Sequence, residues 1–359
     1  MTFNNILSIT LCGFLLSCCS PFEALKGQPC EATSYPMRAQ LPNVGDAVDF
    51  DVVVRAVDFG DYDEGGVPAY TKLGFDLDDT CGAERERDRC TPPAWASPPP
   101  DNEYGRDNSA GSYLNRSQAS VTDATNSTSD SGLITTLIRV RNYNGSSVDN
   151  DVQVEWMAVT RLPEDGFVPV PPEWDGQDGW YPLAEFVENA DTSSDAGLEP
   201  ELTAKYADRS AYVTDHMLVA RFPELLSIVG KYTKAVLVAR VIEGEHGWTL
   251  TEGMAGARMH VDDMLALIDG HTDDETGEPI CIDSPVYAER KAHVCALADI
   301  SASGTDDPDT YCDAVSWAWA FETDPAVLIE RPRHNLVPPP RCPEEVAPRN
   351  DHCEPPGGS

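Results

Sequence analysis

Basic residues are scarce in this chain. Twenty-five Lys and Arg stand against 61 Asp and Glu, a formal charge of −36, and only 6 of the basic residues are Lys. Binding phosphates needs a basic patch, so nucleic acid is excluded as an expected partner. An anionic membrane surface would repel such a chain, so attachment would need a lipid. No apolar run reaches the roughly 20 residues that a spanning helix requires. Catalytic signatures are missing too. There is no GxSxG elbow, no HExxH, no P-loop and no ExDxxE strand. The 7 His are scattered without metal spacing, and no cysteine pair is spaced CxxC, which argues against zinc. DYDEGG at 61–66 fails as an EF-hand, because Lys72 stands where a bidentate Glu is required.

What is present begins with an address. Ile6 to Leu16 is apolar and fits the h-region of an export signal over 1–17. It ends Leu15-Leu16-Ser17-Cys18, which resembles the lipobox of bacterial lipoproteins and makes Cys18 the expected lipidation site. Leu16 is bulky for that motif, and the first five residues carry no Lys or Arg. An ordinary signal peptide is the alternative. Residues 18–43 read as a tether. Beyond Cys19 there are eight cysteines: Cys30, Cys81, Cys90, Cys281, Cys295, Cys312, Cys342 and Cys353. An even number in an exported chain implies a disulfide framework. Proximity along the chain favours Cys81–Cys90 and Cys342–Cys353.

Between residues 44 and 331 the dominant hydrophobic period is two, the mark of strands. Val48, Phe50, Val52 and Val54 share a face, as do Ile134, Thr136, Ile138 and Val140, and again Val152, Val154, Trp156 and Ala158. Glu155 is expected on the solvent side. Val315, Trp317, Trp319 and Phe321 form another inward row, and KAVLVARVIEG is apolar on both faces, like a strand covered twice. Many short strands separated by turns predict a mainly β fold, a β-sandwich or jelly roll, with a few short helices and disulfides. Helices are expected at 261–269 and after Ser284-Pro285, with Ser284 as cap. A division into two sub-domains is allowed near 182–210, and 332–359 reads as a Pro-rich tail pinned by its cysteines.

GFDLD with GRDN, RNYNG with DNDVQVEW, YVTDHMLVARFP, GWTLTEGMAGAR, ERKAHVCALADI and YCDAVSWAWAF together resemble a set of uncharacterised exported lipoproteins of myxobacteria-like bacteria, over about 45–323. The resemblance implies a surface or periplasmic protein with a concanavalin-like or jelly-roll sandwich. It carries over no catalytic residue.

Two groups of residues could hold a ligand. Asp76 and Asp78 share a face if the segment is extended. With Asp79, Asp107 and Asn108 they could supply the oxygen shell that calcium takes; the simpler alternative is a turn network. Trp95, Trp174 and Trp180 lie in loops rich in Pro, Gly and Asp. There they could stack a sugar ring, or more simply plug an open end of the sandwich.

The resulting expectation is a non-catalytic, lipid-anchored protein of the bacterial outer membrane or cell surface, or otherwise a secreted one. It would bind a ligand or partner, with carbohydrate foremost and a cell-surface protein second. A structural envelope protein and a glycan hydrolase are the alternatives. Cys18→Ser should release the protein from the membrane fraction into the soluble one; retention in the membrane fraction would remove the lipid anchor from the account.

Overall fold

The computed structural model describes residues 34–41, 45–61, 68–78, 90–102, 104–114, 121–163, 168–188, 202–227, 230–273, 276–304, 307–334 and 341–353. The signal, Cys18, Cys30, Asp79, Cys81 and most of the tether lie outside them.

In chain order the elements are β1 (Val48–Asp58), α1 (Ser109–Leu114), α2 (Val121–Asp130), β2 (Thr135–Tyr143), β3 (Val148–Thr160), β4 (Gly179–Pro182), β5 (Tyr206–Thr214), β6 (Met217–Leu226), β7 (Lys231–Gly244), β8 (Gly247–His260), α3 (Val261–Ala266), α4 (Tyr287–Ala296), β9 (Ala314–Pro325) and β10 (Val327–Leu328). The ladder runs β3-β2-β1-β9-β8-β7-β6-β5, and β5 pairs back onto β3. The sheet is therefore an eight-stranded antiparallel β-barrel, and the sandwich, jelly-roll and concanavalin-like expectation is corrected. Both architectures need alternating strands, so a period of two cannot separate them. The pairing of Val148–Trp156 with Tyr206–Thr214, across the stretch 182–210, decides between them. β4 and β10 hang on β3 outside the closed ring.

The barrel interior is filled by alternating large and small side chains. One row runs across four strands from Trp319 to Ala255, Leu237 and Ala220. Directly paired residues share a face, so each large group stands beside a small one. Beside that row, Phe321 pairs with Gly253, where a β-carbon would come within 2.4 Å of the Phe ring. Val52, Ile138 and Trp156 form a row on the opposite wall. Trp317 and Trp319 flank buried Tyr232, with ring centroids 5.9 and 5.5 Å away. The expected inward faces of these strands are observed.

β7 is apolar on both faces because both are covered. Its outer residues Val236 and Val238 join Val219, Tyr212, Met217 and Met254 under Tyr35, Leu73, Phe75 and Leu77. The stretch 73–78 alternates as expected but has no strand partner; it is an extended strap laid over the barrel.

α2 has almost no apolar period, and sequence reading misses it. Its Asn126 side chain bonds both N–H and C=O of Val57 (2.8 and 3.0 Å), beside the β1 bulge between Val54 and Ala56. At α3 the His260 ring accepts from Asp262 N–H. α4 begins at Tyr287 with no side-chain cap, so Ser284 is not the cap. No described helix is long and apolar enough to cross a membrane.

The disulfides differ from the sequence-local pairing. Cys90 joins Cys312, Cys281 joins Cys342, and Cys295 joins Cys353. The tail cysteines do not bridge each other, because the tail lies across α3 and α4. Arg349 pairs with Asp269, and Lys291 and the Tyr287 hydroxyl bond Asp351.

Trp317→Ala should cost about 3–5 kcal/mol, the range for truncating a buried aromatic. Denaturant unfolding at unchanged m-value checks this; a loss under about 1 kcal/mol would contradict a filled interior.

Candidate cation site and outer groove

The strap is held close to the chain that precedes α1. A β-carbon on Gly74, whose φ is +119°, would lie 2.7 Å from the Asp107 carbonyl oxygen. Glycine is what permits that approach. Asp107 N–H donates to the Phe75 carbonyl (2.9 Å), and Oδ2 of Asp107 accepts from Leu77 N–H at 2.6 Å and Asp78 N–H at 3.3 Å. Arg258, buried on β8, donates to the Leu77 and Ser301 carbonyls.

This folding-back brings Asp76, Asp78 and Asp107 together, with one carboxylate oxygen of each within 4.8 Å of the others. Calcium–oxygen bonds are about 2.3–2.6 Å, so two oxygens on one ion can be no more than about 4.6–5.2 Å apart. The spacing therefore fits a hard, oxygen-seeking cation. The donor set contains no nitrogen or sulfur, which disfavours zinc.

Asn108 does not join the group. Its Oδ1 accepts from Gly111 and Ala318 N–H, and its amide donates to the Tyr70 carbonyl. It is a joint between strap, α1 and β9, in keeping with the turn reading for that residue alone. Asp79 lies outside the described residues.

Burial pushes the Asp107 carboxyl well above the ordinary aspartate value of 3.8, and the charges of Asp78, Asp299 and Asp76 add to it. Asp299, which accepts from Ser316 N–H and Oγ–H, is pushed up to about 6, mainly by burial. The Ser316 hydroxyl accepts from Ser109 N–H at the start of α1.

The three tryptophans Trp95, Trp174 and Trp180 differ in exposure. Trp180 is 0% exposed, and Trp174 packs on it at 6.1 Å with Arg55 over the Trp174 ring. Trp95 packs against the main core. Trp180 is thus a core residue and cannot stack a sugar, while Trp95 and Trp174 are half-buried against that core. Their ring faces offer more burial energy inside than a loop tip offers outside. Glu155 is not a free solvent residue either: it lies 3.5 Å from buried Arg139, which also contacts Asp51.

Sequence reading passed over a groove beside the strap. A cavity of about 530 Å³ is lined by Tyr35, Asp76, Asp208, Arg221, Lys234 and Arg258, among others. It opens where the β5–β6 ladder stops at Tyr212–Val219. There Asp208 replaces the missing strand contact, accepting from Arg221 N–H (2.7 Å) and from Ser210 N–H and Oγ–H (2.8 and 2.9 Å). The Arg221 guanidinium lies over the Tyr35 ring at 4.6 Å. These residues are up to about 220 positions apart and form no local motif.

Compared with family models, characterised proteins and solved structures, the chain matches none.

A carboxyl raised by folding keeps its proton in the folded chain where the unfolded chain has lost it. Its stabilisation is complete below the unfolded value and is lost as pH rises through the folded one. In chelator, stability should thus fall as pH rises from 3.8 through about 6 for Asp299, with Asp107 contributing in the same direction. Asp107→Asn should flatten part of that fall. Urea midpoints with the same pH slope in parent and variant would show that Asp107 is not a strained acid.

Proposed function

We infer that this is an exported, non-catalytic binding protein whose strap is fastened to the barrel by a calcium ion at Asp76, Asp78 and Asp107. The observation that carries the reading is the convergence of three carboxylates on one point, one of them buried. Carboxylates at that spacing disfavour one another's ionisation, and a divalent cation relieves that repulsion. The strap residues Asp76 and Leu77 also line the groove. An ion there would order one wall of a ligand site.

Export is supported by the signal-like N-terminus and by three disulfides, which persist in oxidising compartments. The binding reading is preferred to catalysis because the buried acids face strap and helix backbone. The one hydroxyl–carboxylate contact in the groove lining, Ser210 to Asp208, has no His or Lys bonded to it among the described residues and serves to hold the β5–β6 end together. The described barrel interior is lined by packed side chains and the groove lies outside it, which supports an outer ligand site. Attachment through Cys18 would present that outer face from the membrane.

Thermal unfolding of the full chain, first in EDTA and then in millimolar calcium at fixed ionic strength, tests the ion. Free calcium at about a thousandfold above its dissociation constant should add roughly 4 kcal/mol, and Asp78→Asn should abolish the increment. An equal response to magnesium, or no response, would reduce the trio to a turn network on an acidic surface.

A further inference from the structure

The outer groove gathers cationic side chains in a strongly acidic chain. Of its lining residues, Arg221, Lys234 and Arg258 are cationic, in a chain of formal charge −36. Arg258 is committed to two carbonyls, and Arg221 lies against Tyr35. Lys234 is different. The other lysines with an assigned contact have acceptors: Lys205 bonds the Glu185 carbonyl, Lys231 pairs with Glu224, and Lys291 pairs with Asp351. Among the described residues the Lys234 ammonium has no hydrogen-bond or ion-pair partner.

Its backbone is also unusual. Lys234 has φ +50° at the bulge between Thr233 and Val236 in the β7–β8 ladder. That conformation is disfavoured for a non-glycine residue, and bulges re-aim side chains. The aliphatic stem lies close along Gly304, where a β-carbon would stand 3.0 Å from Cε. Lys234 is exposed, with one side of its stem against Gly304, and it lines the cavity.

We propose that the groove binds an acidic sugar, a uronic-acid unit, with its carboxylate on Lys234 and Arg221. This rests on the reading of the protein as a binder and does not require the calcium ion. The volume lies within the range of about 300–1,000 Å³ for small-ligand sites, and it admits one or two sugar rings. Two acids, Asp76 and Asp208, share the lining with the three cations. A ligand bearing several negative groups would meet repulsion from these acids, whereas one with a single carboxylate and neutral hydroxyls would not. The two oxygens of Asp208 already accept three protein donors, so it is poorly placed to pair with a ligand ammonium. The long-range field of the acidic surface is screened beyond about 8 Å at physiological salt, so the nearby cations govern the site.

The test is calorimetric titration of the full chain with glucuronate, glucose and alanine at fixed ionic strength. Glucuronate should bind at least about tenfold more tightly than glucose or alanine. Lys234→Asn, which tolerates the left-handed backbone, should lose at least about tenfold in affinity, and Lys234→Arg should retain most of it. Equal binding of glucose would overturn the acidic class while leaving a binder, and equal binding of alanine would overturn the sugar. Undiminished affinity in Lys234→Asn would remove the site. Failure of all three probes would remove this groove from the binding account, whatever calcium does to thermal unfolding.

Discussion

The barrel depends on one seam, the pairing of β3 with β5. Without it the strands would form an open sheet with two exposed edges and an uncovered apolar face. With it, every inward residue from Val52 to Trp319 is sealed in one interior. The seam is irregular, with register shifts on either side of Val152. That irregularity fits the early end of the β5–β6 ladder, where Asp208 substitutes for strand contacts. The groove is thus a by-product of how the barrel closes.

Filling the interior pushes function outward. Trp317 and Trp319 on β9 and Trp156 on β3 pack the described interior together with Ala and Gly on β8 and Ala on β6. The outer wall of β6 to β8 is apolar too, and it needs a cover. The strap supplies one, with Phe75 lying over Gly256, where a β-carbon would approach the ring to 2.8 Å. The same alternation that buries Leu73, Phe75 and Leu77 turns Asp76 and Asp78 the other way. The acidic trio is therefore the polar side of a packing solution. Asp107 joins it because its carboxylate also holds the Leu77 and Asp78 N–H groups.

Much of the molecule was legible in the residues. The inward faces of β1, β2, β3 and β9 follow from a period of two, and the double coverage of β7 from its unbroken apolar run. The pairing of Asp76 and Asp78 on one side needed only extended geometry. α2 was hidden because VTDATNSTSD lacks a hydrophobic stripe and is held by the Asn126 contacts to Val57. The bridges were hidden because Cys342 and Cys353 are near in sequence while their partners approach only when the tail crosses α3 and α4. The tryptophans misled for a similar reason: a Pro-flanked Trp has the same local sequence whether it faces solvent or, like Trp180, the core.

The sequence by itself determined that the chain is strand-rich and strongly acidic, and that its carboxylates cluster near residues 76 and 107. Those properties reside in composition and in local periodicity. Tertiary structure alone decided that the sheet closes, which cysteines meet, that Asn108 is a joint, and that Tyr35, Arg221, Lys234 and Arg258 face one cavity. Strand alternation specifies which side chains share a face but not which strand lies next to which, so every feature that depends on neighbours across the barrel waits for the β3–β5 pairing.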